Sequence, residues 1–185
     1  MDSLDTLQPK KTFSQRAMTA AIFITVAGIL VNLVFYVTGM DMEILTNPAI
    51  SWLNRLLLIG ITYYFIHMAL RSYRDEDLGG YVGIGQGVGL GTLAGLISGI
   101  LSAIWFFFFT SFIATDAMDK IQEVTLEQMQ EKGQSAEQAE QALEMMSFFF
   151  SPAFFVIAIV LSSIFFGLLC GLVAGMSLKK EKPLA

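Results

Sequence analysis

The chain has 185 residues, of which 55% are hydrophobic and 15% charged, with a mean hydropathy of +0.63 and a net charge of −5. A soluble domain carries about 25% charged residues, so this composition points to a membrane protein and away from a soluble enzyme. One histidine and one cysteine are too few for a transition-metal centre, and the acidic balance excludes a nucleic-acid partner.

Residues 1–15 read as a flexible cytoplasmic N-terminus, and 16–178 as one all-α integral membrane domain with four transmembrane helices. The first helix is expected at about 17–38. Lys10, Lys11 and Arg16 precede it as in a signal peptide. However, the apolar run exceeds the ~7–15 residues of a signal core, and no small-residue cleavage site follows, so the helix is expected to stay. The second helix, about 52–71, has a short apolar run between Arg55 and Arg71. It spans if those two side chains reach to opposite headgroup layers.

The third helix, about 82–113, exceeds the ~20 residues that a bilayer core requires, so it tilts or protrudes. A ladder of glycines spaced four apart runs into it: Gly79, Gly83, Gly87, Gly91, Gly95 and Gly99. The fourth helix, about 153–178, repeats the spacing with Ser163, Gly167, Gly171 and Gly175. Each interior glycine costs a helix roughly 0.5–1 kcal/mol relative to alanine. In lipid the same residues open a groove for a neighbouring backbone. A four-residue step overshoots a full turn by about 40°, so one straight neighbour cannot use all six. The spacing leaves three uses open: packing on the first and fourth helices within a subunit, self-association, or a hinge. Gly83-Ile84-Gly85-Gln86-Gly87 is no phosphate loop, because no strand precedes it and no Lys-Ser/Thr follows.

Residues 115–147 form an acidic insertion, expected as an extracytoplasmic helical hairpin. Thr115 is a candidate cap for its first helix, Gly133 a terminator, and Ser135-Ala136-Glu137-Gln138 a capping box for the second. Thr125-Leu126-Glu127-Gln128 matches the same box and allows a restart. Pro152 suits the first turn of the last helix, and 179–185 form a basic cytoplasmic tail. Eight of the eleven lysines and arginines fall on one side of a four-pass topology, which places both termini in the cytoplasm.

Among the few strongly polar residues inside the spans, Asn32 and Arg55 lie toward one leaflet, His67 and Gln86 toward the other. Such groups are costly in lipid, and each pair is placed to bond across helices; Arg55 is expected to reach to the interface toward Asp41 or Glu43, and His67 to be a satisfied packing residue. Cys170, alone in the last helix, is expected to be a packing residue. Phe106, Phe107, Phe108 and Phe109 close the third helix, and Phe148, Phe149 and Phe150 precede the fourth. Together with Glu123, Glu127 and Glu131 they form a candidate partner surface, although the plainer reading of the phenylalanines is a collar in contact with lipid.

Tyr73-Arg74-Asp75, Leu78-Gly79-Gly80-Tyr81 and the following Gly83, Gln86 and Gly87 carry a resemblance. With Gly133-Gln134-Ser135-Ala136-Glu137, Pro152 and the lysine-rich tail, the chain resembles a bacterial family of four-pass inner-membrane proteins known only as a domain of unknown function. The resemblance covers about residues 14–182 and implies a bacterial inner-membrane location, but no activity or site residues. The expected function is a non-enzymatic membrane interaction or scaffold protein, a subunit or accessory of a membrane complex, without cofactor. The alternative is an oligomeric channel or a subunit for small-solute or lipid transport; a sensor using His67 or the glycine hinge is a third reading. Expected partners are membrane lipids, another membrane or extracytoplasmic protein, or further copies of the chain.

Overall fold

The computed structural model describes residues 12–180, so Lys10, Lys11, Lys182 and most of the expected flexible N-terminus lie outside the described residues. The elements are α1 (Phe13–Val37), α2 (Glu43–Thr46), α3 (Pro48–Glu76), α4 (Ile84–Phe112), α5 (Ala117–Glu131), α6 (Ala136–Met145) and α7 (Pro152–Leu178). A 3₁₀ turn at Ser147–Phe150 precedes α7. Four of these helices, α1, α3, α4 and α7, are long and apolar enough to cross a membrane. Of these, α3 exceeds its expected bounds at both ends. Asn47 Oδ1 accepts from the Ala49 amide at 3.0 Å, and Pro48 takes a first-turn position where its missing N–H costs nothing.

The chain divides into two compact units. The described part of one comprises residues 12–24, 59–98 and 163–180. Its organising contact is between two backbones. Gly87, Gly91 and Gly95 of α4 face Gly175, Gly171 and Gly167 of α7. A Cβ placed on Gly91 would lie 2.7 Å from Gly171 Cα, and one on Gly87 would lie 2.7 Å from Gly175 Cα. The relation is reciprocal, since a Cβ on Gly167 would lie 2.8 Å from Gly95 Cα. Real Cβ atoms do not approach backbone this closely, so only hydrogen fits at these positions. The atom nearest each missing Cβ on Gly87, Gly91, Gly167 and Gly171 is a glycine carbonyl oxygen of the other helix. Cα–H groups therefore point at carbonyls, contacts worth about 0.5–1 kcal/mol each. Ser163 closes the run, its carbonyl oxygen meeting the Gly95 position.

Of the rest of the ladder, Gly79 and Gly83 have other roles. Gly79 and Gly80 are not helix-packing residues: they follow α3 with φ of +62° and +89°, in the left-handed region that side chains disfavour. Gly83 stands before α4 and donates its amide to Gln86 Oε1 at 2.8 Å, forming half of a capping box. Gly99 is buried and belongs to the second unit. Beside the zipper, Leu90 and Ala94 of α4 and Cys170 and Ala174 of α7 join Ala17, Ala20, Ile66 and Leu70 in one apolar core. Val82 and Lys180 close this unit with two antiparallel backbone bonds of 3.2 and 3.1 Å.

The second unit comprises Thr25–Leu58 and Gly99–Ser162. Within it α5 runs unbroken from Ala117, so Thr115 is not its cap and Thr125 restarts nothing; the Thr125 hydroxyl donates to the Ile121 carbonyl at 2.7 Å instead. After α5, Gly133 at φ +90° donates to the Gln130 carbonyl and Gln134 to that of Met129, a Schellman closure. Ser135 and Gln138 then exchange both bonds of a capping box and start α6.

The zipper makes a site-resolved expectation for helix stability. Gly91→Ala overpacks the α4–α7 contact and lowers stability by about 1–3 kcal/mol. Gly85→Ala, whose new Cβ meets nothing within 4 Å, is neutral or raises stability by up to about 1 kcal/mol. Thermal melts of both variants in one detergent check the pair; equal losses would contradict the geometry.

Candidate functional site

Two clusters stand apart from simple packing. The first lies at the start of α1 and the end of α3. Arg16 is 4% exposed, although its position in the sequence reads as an ordinary topology-setting charge. Its guanidinium donates to Asp77 Oδ2 at 2.7 Å through Nε, to Glu76 Oε2 at 3.0 Å through Nη2, and to the Ser72 hydroxyl through Nη1. Ser72 in turn donates to Glu76 Oε1 at 2.5 Å. The partners differ: the Asp77 side chain is 12% exposed and that of Glu76 63%. Next to this cluster a groove of about 310 Å³ is lined by Arg16 and Ser72 at its polar side and by Phe23, Phe65 and Met68 at its apolar side. The Phe23 and Phe65 rings stack at 5.3 Å.

Sequence reasoning missed this cluster. Counting bases for orientation treats Arg16 as one more positive flank and ignores that Asp75-Glu76-Asp77 ends the next helix on the same side. An arginine in the first turn of one span and an acidic run at the end of its neighbour was the available signal.

The second cluster belongs to the other unit. In α5, Asp119, Glu123, Glu127 and Glu131 recur at four-residue spacing and all are exposed; Glu137, Glu140 and Glu144 of α6 are exposed as well. Like charges four apart destabilise a helix, so this stripe opposes the fold that carries it. One lysine relieves it locally: Lys120 lies 2.7 Å from Asp116, and its ammonium holds the Asp116 carboxyl below the usual carboxylate range. Gln128 ties α5 to the Leu45 carbonyl at 3.2 Å.

The phenylalanines divide. Phe109 is buried against Tyr36 at 5.2 Å, and Phe106 stacks on Phe155 at 5.6 Å. Phe107 and Phe108 are exposed, as are Phe148 and Phe149, whose rings pack with Phe154 at 5.7 and 5.0 Å; Phe150 is half-buried. The intramembrane polar residues do not form the expected pairs. Asn32 accepts from the Trp105 indole at 3.3 Å rather than meeting Arg55. The Arg55 guanidinium lies 5.7 Å from the Trp52 ring centroid instead of reaching Asp41 or Glu43. Gln86 caps its own helix, and His67 tilts against Tyr63 at 5.6 Å, so these two do not bond. Among the described residues no group of three or more His, Cys, Asp or Glu side chains converges on a metal-sized site.

Four helices of spanning length and hydropathy define a multi-pass helical membrane protein. Residues 19–180 match the family described as a protein of unknown function, DUF4199, and the chain belongs to that family. No curated protein and no solved structure matches it.

The Arg16 cluster orders its own mutants. Removing one partner of a buried ion pair costs about 3–5 kcal/mol, so Arg16→Ala and Asp77→Asn lower the melting temperature strongly. Glu76→Gln, at the exposed partner, costs on the order of 1 kcal/mol or less. Thermal melts in detergent check the ranking; a Glu76→Gln loss equal to that of Asp77→Asn would contradict it.

Proposed function

We propose that this chain is a non-enzymatic interaction protein of the bacterial inner membrane. Its termini lie in the cytoplasm, and 115–147 stand outside as an acidic helical hairpin that docks a basic partner. The basic flanks support the orientation: Arg71, Arg74, Lys179 and Lys180 fall on one side of a four-pass path, while the acid-rich insertion falls on the other.

The observation that carries the reading is the uncompensated stripe of Asp119, Glu123, Glu127 and Glu131, exposed along one face of α5. A face that weakens its own helix by like-charge repulsion gains stability when a positive surface covers it. Phe148 and Phe149, exposed beside the start of α7, supply the apolar contact that charge alone lacks. Aromatic anchors beside charged groups match the way interfaces divide affinity from specificity.

Affinity purification from native membranes in mild detergent tests this. The wild-type chain is expected to retain a stoichiometric partner with a basic outer domain, released as salt rises and screening shortens. Glu123→Lys, Glu127→Lys and Glu131→Lys together should abolish that complex. Undiminished binding by the triple variant would rule out the acidic face as the docking surface.

A further inference from the structure

On α3, a glycine and four polar residues lie along one stripe. Gly60, Tyr64, His67, Arg71 and Asp75 recur at spacings of four, three, four and four, within about 80° of the helix circumference. Tyr64 is 61% exposed and falls near the middle of α3; Gly60, Arg71 and Asp75 are exposed and His67 is half-buried. A Cβ on Gly60 would meet nothing within 4 Å, so the stripe begins at an open notch. Among the described residues, the Tyr64 hydroxyl and the His67 imidazole have ring neighbours, Phe65 and Tyr63, but no hydrogen-bond partner. A hydroxyl and an imidazole at hydrocarbon depth require a partner, because lipid tails offer none.

We infer that this stripe of α3 is a homodimer interface, occupied by the same stripe of a second copy related by a twofold axis along the membrane normal. The inference rests on α3 crossing the bilayer, and not on the partner of the acidic insertion. Self-complementarity points to a second copy. The stripe carries a donor, Tyr64, one turn from an acceptor, His67, so two parallel copies can exchange hydroxyl-to-imidazole bonds across the axis. It carries a cation, Arg71, one turn from an anion, Asp75. Arg74 holds Asp75 Oδ1 at 2.7 Å, while Asp75 Oδ2 lies 3.8 Å from Arg71 Nε, too long for a hydrogen bond and open to the Arg71 of the other copy. Gly60 lets the two backbones approach, as small residues do at crossings of membrane helices. A twofold contact of this kind closes on itself and ends at the dimer.

Cysteine cross-linking in native membranes tests the interface. Gly60→Cys has room in the monomer, and the wild-type chain, whose lone Cys170 is buried, serves as background. Gly60→Cys should give a disulfide-linked species of twice the chain mass, whereas Ile104→Cys, on an exposed face of α4, should give none. In the Gly60→Cys background, Tyr64→Phe with His67→Leu should lose the cross-link. Arg71→Asp alone and Asp75→Arg alone should each weaken it, and the two together should restore it. A Gly60→Cys chain that stays monomeric, equal cross-linking at Ile104→Cys, or an adduct with a different protein would overturn the inference.

Discussion

Close contact between two bare backbones is the constraint on which the first unit depends. Where α4 meets α7, Gly87, Gly91 and Gly95 oppose Gly175, Gly171 and Gly167, and at all of these except Gly175 a methyl group would collide with the facing backbone. In water this arrangement would be a poor choice, because glycine gives up more backbone freedom on folding than any other residue. Between lipid tails the balance differs. Apolar side chains gain little by leaving lipid for protein, so dispersion contacts and weak Cα–H bonds between close backbones supply the attraction. The larger residues beside the glycines, Leu90, Ala94, Cys170 and Ala174, then pack against α1 and α3. The Val82–Lys180 bridge fixes the register at one end of the same helix pair.

With the α4–α7 contact formed from hydrogen atoms and carbonyls, the polar chemistry is displaced to the ends and outer faces of the helices. Arg16 is the clearest case: its charge is buried, and two carboxylates and a hydroxyl satisfy it. That cluster ties the first turn of α1 to the end of α3, just before the left-handed turn at Gly79 and Gly80. Charges that serve no such internal purpose gather on α5 and α6, where they face solvent. Interior contact, charged clasp and exposed acidic stripe are thus carried by different residues, and each can be altered separately.

Much of this was legible in the amino-acid order. Long charge-poor runs mark the four spans, because a bilayer demands a length and an apolar composition that few other settings do. The Ser135–Gln138 box and the Gly133 stop are local signals, and both act locally in the structure. The glycine spacing marked close packing, and its repeat in the last helix named that helix among the candidate partners; it left self-association and a hinge open as well, since small residues admit any neighbour of the right shape. The polar pairs were misjudged because depth along a helix says nothing about which way a side chain faces. Asn32 thus finds the Trp105 indole, 73 residues away, and Gln86 turns back to Gly83. Arg16 was hidden for another reason: topology counting uses the sign of a charge and discards its partner.

The most direct measurement is a carbon–carbon distance between Gly91 and Gly171 Cα by solid-state NMR of glycine-labelled protein in lipid bilayers. The comparison is between fully labelled protein and labelled chains diluted into unlabelled ones. Backbone contact within one chain predicts a short-range cross-peak whose intensity per labelled chain survives dilution. Absence of that cross-peak, or its loss on dilution, would show that these glycines face lipid or another copy and would contradict the account.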